Sequence, residues 1–108
     1  MKRSLVALAL ALALSNTALA GGDYSNAVVI QDMCDYAGQA GKIAYNIKAG
    51  VTHNWTREYF TNMVSTGHYA DEKNRQAQIW AVNYGFDQAS DLQDAYMKSW
   101  AHCMDLFN

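Results

Sequence analysis

Two cysteines, Cys34 and Cys103, are the only ones in this 108-residue chain. What they do depends on where the chain resides, and its first twenty residues bear on that. Lys2 and Arg3 form a short basic start, and Leu5 to Leu14 is an unbroken run of Leu, Val and Ala. Ser15, Asn16 and Thr17 break the run, and Ala18-Leu19-Ala20 supplies small residues before a cleavage point at Ala20-Gly21. This is the order of a secretory signal peptide. The expectation is that residues 1–20 are a cleaved leader, and that residues 21–108 form a single helical domain in the periplasm or outside the cell. The short basic region favours a Gram-negative periplasm. In an oxidising compartment two cysteines make one intramolecular disulfide, and a small exported domain needs such a staple. A reactive thiol pair or a metal-ligand pair is the competing reading. The bridge would close a loop of about 70 residues, which a chain-entropy estimate values at up to ~4 kcal/mol.

Composition removes several function classes. The apolar leader is too short to span a bilayer, and no later stretch of membrane length follows it, so no stable membrane insertion is expected. No cysteine lies near the cleavage point to carry a lipid. Of eight Lys and Arg, two leave with the leader, and the remaining six face ten Asp and Glu. A net acidic chain lacks the clustered cations of a nucleic-acid surface. Three Trp, seven Tyr and three Phe all follow the leader, enough large rings for a compact core.

The spacing predicts four helices and no strand, with glycines and polar clusters as punctuation in a chain without proline. Ser25 or Asn26 would cap a first helix running to about Ala49, with Gly50 beyond its end. Ala37, Gly38, Ala40, Gly41 and Ala44 make a small-residue stripe in it, suited to close approach by a neighbour carrying a large ring. Thr52 is the expected cap of a second helix bearing Trp55, Tyr59, Phe60 and Met63. A third is expected from about Tyr69–Asp71 to Tyr84, with Gly85 past its end. Ser90 and Gln93 read as the capping box of a fourth, with Asp87 a rival cap. The fold class is therefore all-α: a small antiparallel four-helix bundle closed by one disulfide, with room for irregularity because the middle helices are short. In an up-down-up-down bundle Cys34 and Cys103 come to similar levels.

No catalytic constellation is visible, and the chain is not expected to be an enzyme. His53, His68 and His102 lack zinc-ligand spacing, so no metal site and no cofactor are expected. Asp32 with Asp35, and Asp87, Asp91 and Asp94, share helix faces but read as solvated sides. No nucleophile elbow or phosphate-binding glycine loop is present. The surplus aromatics are the remaining lead. Trp55, Tyr59, Phe60, Trp100 and Phe107 are the candidate interaction surface, although core packing competes for each ring.

The stretch from Cys34-Asp35-Tyr36-Ala37-Gly38-Gln39-Ala40-Gly41 to Gly50, closed by Trp100-Ala101-His102-Cys103, resembles uncharacterised small exported two-cysteine helical proteins of proteobacteria and their phages. The resemblance implies a helical, disulfide-closed fold and no catalytic residue or substrate. The functional expectation is a soluble periplasmic interaction protein, such as an inhibitor or immunity-type factor, whose partner is another periplasmic or envelope protein. A small-ligand or cell-wall glycan binding module and an acid-stress chaperone are the alternatives.

Overall fold

The computed structural model describes residues 27–52 and 54–108. The leader, the Ser25 and Asn26 caps and His53 lie outside the described residues. Four helices follow one another: α1 (Ala27–Lys48), α2 (Arg57–Ser65), α3 (Glu72–Asp87) and α4 (Leu92–Leu106), with no strand among the described residues. The 22 residues of α1 rise about 33 Å, which sets the long dimension of a 38 × 22 × 21 Å molecule.

Local chemistry fixes where each helix starts and stops. α1 ends in a Schellman motif: Gly50 turns left-handed at φ 80°, its N–H bonds the Ile47 carbonyl at 3.1 Å, and the Val51 N–H bonds that of Asn46 at 2.9 Å. α2 is capped by Thr56, not Thr52; its Oγ1 accepts the Tyr59 N–H at 3.1 Å. Trp55 therefore precedes the helix and stacks on Phe60 one turn in, centroids 5.4 Å apart, as a hydrophobic staple. Asp71 caps α3 by accepting the Lys73 N–H at 2.8 Å. Asp91, not Ser90, caps α4, accepting the Asp94 N–H at 2.7 Å. Asp94 reaches back to the Ser90 N–H at 3.0 Å, so a carboxylate fills the position the sequence reading gave to Gln93.

Long-range contacts give the topology. Cys34 is bonded to Cys103 with Cα atoms 5.4 Å apart. Gly38 lies under Tyr96, Gly41 faces Ala95 and Ser99, and the Tyr45 hydroxyl reaches the Ser90 carbonyl at 3.3 Å. Rising numbers in α1 meet falling numbers in α4, so the pair is antiparallel. Gln78 on α3 donates to the Met33 carbonyl, and Gly85 lies against Gly41 and Ala44, so α1 and α3 run parallel. Arg57 meets Asp87, which makes α2 antiparallel to α3.

This is the up-down-up-down order the sequence suggests, with one irregularity. α3 does not end at Tyr84 with Gly85 outside; it continues to Asp87 with Gly85 inside it. A Cβ at Gly85 would overlap the Gly41 carbonyl and sit 2.8 Å from the Ala44 Cβ. Backbone thus touches backbone across what would be a diagonal of a square bundle. α1, α3 and α4 close into a tight three-helix core, and α2 packs chiefly on the flank of α3. The inward row of α4 is Ala95, Ser99 and Cys103, all fully buried. Only small side chains fit a seam whose Cα atoms are this close. Phe60 and Val64, both fully buried, key α2 into the core.

Candidate functional site

α1 and α3 finish, and α2 and α4 begin, at one end of the molecule. The Schellman turn leaves Val51 67% exposed there. The first turn of α2 presents Tyr59, 56% exposed, with its ring 5.6 Å from half-buried Trp55. The first turns of α4 present Leu92 and Met97, 39% and 49% exposed. Among the described residues these are four of five large apolar side chains left exposed; the fifth, Val28, is at the far end.

The backbone beneath this end is held by polar contacts. Arg57 makes a two-pronged bond to Asp87 at 2.7 and 3.0 Å while its guanidinium covers the Phe86 ring at 4.6 Å. That pairing holds the Asp87 carboxyl below the usual carboxylate range. The Asp94 carboxylate accepts the Ser90 N–H and the Tyr84 hydroxyl, the latter at 2.7 Å, and is pulled down to about 2, mainly by the Ser90 N–H.

The five expected interaction residues do not form one patch. Trp55 and Tyr59 belong to this end. Phe60 is fully buried and serves the core, so it offers nothing to a partner. Trp100 is half-buried against the core midway along α4. Phe107 lies at the opposite end, where Lys73 sits 5.7 Å from its ring. Sequence reasoning missed Val51, Leu92 and Met97 because aliphatic residues at helix ends look like ordinary core.

A second aromatic cluster lies where α3 meets α4. His102 stacks on Trp80 with centroids 4.0 Å apart and planes 6° apart, and Trp80 stacks on Tyr84 at 5.1 Å and 6°. Burial lowers the His102 pKa, against an opposing pull from Asp105. His68 is exposed in the α2–α3 connection. Among the described residues no three His, Cys, Asp or Glu side chains come together as a metal site. Asp35 accepts a hydrogen bond from the Tyr96 hydroxyl, whose pKa is pushed up to about 12 by burial and by that bond. The carboxylates at 35, 87, 91 and 94 therefore hold structure together rather than only facing water.

The small-residue stripe of α1 is no cleft. Tyr96 fills the notch at Gly38, and Ser99 fills the one at Gly41. Among the described residues, the notches at Gly38 and Gly41 are therefore closed by α4. No helix among the described residues is long and apolar enough to cross a membrane. No protein-family model, curated protein or solved structure matches the chain.

Proposed function

We propose that this protein is an exported binding module that docks another envelope protein through the end formed by Val51, Trp55, Tyr59, Leu92 and Met97. An inhibitor or immunity-type role is one form such docking takes. The observation carrying this reading is that four of the five large apolar side chains left exposed among the described residues sit on turns and helices that start or finish at that end. Exposed large apolar groups gathered toward one end of a small molecule suit a contact surface. Tyr and Trp bring large area at low rotamer cost, which suits them to the centre of an interface. The frame behind them is pre-organised: the Schellman turn, the Trp55–Phe60 staple and the Arg57–Asp87 pair leave little to order on binding. The acidic balance of the chain would steer a basic partner.

The test is photo-crosslinking in the intact envelope, with benzoylphenylalanine placed singly at Val51, Tyr59 or Leu92. Control positions are Gln31 and Gln76, exposed in the halves of α1 and α3 that point the other way. A discrete adduct from the three end positions and none from the controls is the expected result. Silence at all five positions, or equal labelling from the controls, would remove the proposal.

A further inference from the structure

On its inner side the seam between α1 and α4 is closed by small residues, but on its outer side it opens into a groove. The groove has a volume of about 460 Å³ and is lined by Gln39, Lys42, Leu92, Gln93, Tyr96 and Met97. That volume falls among small-molecule sites, which run ~300–1,000 Å³. Its floor is rigid. The Tyr96 ring is wedged over Gly38, and its hydroxyl is tied to Asp35. Leu92 and Met97 stand beside it and remain substantially exposed.

Lys42 is the one charged residue in the lining. Its Nζ sits 6.0 Å from the Tyr96 ring centroid, and like Lys48 and Lys73 it makes no ion pair among the described residues, whereas Arg57, Arg75 and Lys98 each have one. In a chain where acids outnumber bases, a lone cation at the edge of an apolar strip complements an anion. The strip runs from Leu92 to Met97 of α4, about 7.5 Å of helix rise. A peptide laid in it would bring a row of backbone amides needing partners, and beyond Lys42 and the Tyr96 hydroxyl, already bonded to Asp35, the lining supplies only the side-chain amides of Gln39 and Gln93. A hydrocarbon chain brings no such demand.

We propose that this groove binds an amphiphilic carboxylate of the fatty-acid type, with its carboxylate on Lys42 and its alkyl chain along Leu92, Tyr96 and Met97. Gln39 and Gln93 offer further N–H donors to the head group. The inference goes beyond protein docking and stands without it, since it concerns the purified molecule and a small ligand.

The test titrates the disulfide-bonded protein with sodium decanoate below its micelle concentration, following the methyl NMR signals of Leu92 and Met97. Decyltrimethylammonium is the matched probe of opposite charge. Decanoate is expected to saturate at one per chain, to move those two residues, and to bind at least about tenfold tighter than the cation, roughly the factor one charge-assisted hydrogen bond supplies. Lys42→Gln is expected to erase that preference with the melting curve unchanged, and Lys42→Arg to keep it. No saturable shift, equal affinity for the two head groups, unaltered decanoate binding in Lys42→Gln, or shifts spread equally to Val51 and Tyr59 would each overturn the proposal.

Discussion

Gly85 has less room than any residue type but glycine requires. A methyl there would drive into the Gly41 carbonyl and the Ala44 side chain, and both are held by their own helix. Gly85→Ala is expected to lower stability by about 2 kcal/mol, the cost of overpacking a close contact, despite the better helix propensity of alanine. Urea unfolding at neutral pH measures this. Gly50 differs: nothing lies within 4 Å of its Cβ position, and its φ of 80° alone penalises a side chain. Gly50→Asn is accordingly expected to be tolerated better than Gly50→Val. His102 has a pH signature. Burial beside Trp80 holds its pKa below 6.5, so the folded state resists a proton that the unfolded chain accepts. Its contribution to stability is full above about 6.5 and declines as pH falls from there to its lowered folded pKa. His102→Gln should flatten the stability–pH curve in that window. Asp94 acts lower down: its stabilisation should persist until pH falls below 3.8 and disappear as pH passes through about 2.

Among the elements, caps and packing differ in how legible they were. The four helices, their order and the glycine end of α1 were readable because apolar spacing and Gly50 are local signals. Thr52 and Ser90 carry the same kind of local signal and lose to Thr56 and Asp91. Thr56 won because starting α2 at Arg57 lets Trp55 staple onto Phe60. Asp91 won because Asp94 is then free to hold Ser90 and Tyr84. Neither contact can be seen without the neighbouring element. Asp91→Ala is expected to cost about 1 kcal/mol, while Ser90→Ala costs little, since only backbone atoms of Ser90 make bonds in the structure. Thermal melts of the two variants decide which residue is the cap. Which of the candidate rings stay exposed is only partly legible in the sequence. Periodicity tells which residues share a face of α2, but whether Phe60 turns inward depends on where α3 lies. For the same reason polar Asn74 and Gln78 do not read as core in the sequence, although both are buried and bonded to each other at 3.1 Å.

For the whole molecule, these parts make one clamped body with exposed apolar side chains at one end. The disulfide joins the longest helix to the last one across a separation of 69 residues, and both sulfurs are fully buried. A bridge of that span restricts the unfolded chain by up to ~4 kcal/mol, a large share of the ~5–15 kcal/mol that holds a domain together. Paired Cys34→Ser and Cys103→Ser changes should therefore lower the melting temperature sharply while leaving any folded fraction helical. Close approach of α1 to α3 and α4 rests on Gly41, Gly85 and Ser99, so the clamp and the small residues act on the same seam. The proposed function requires a chain that is exported, trimmed and oxidised before it acts. Intact-mass analysis of the protein from its native host, with alkylating reagent present throughout, tests this most directly. The account expects a species beginning at Gly21, lighter by two hydrogens than its reduced form, that takes up no alkyl group until it is denatured and reduced. A full-length species in the cytosol, or one carrying two alkylated thiols as isolated, would contradict it.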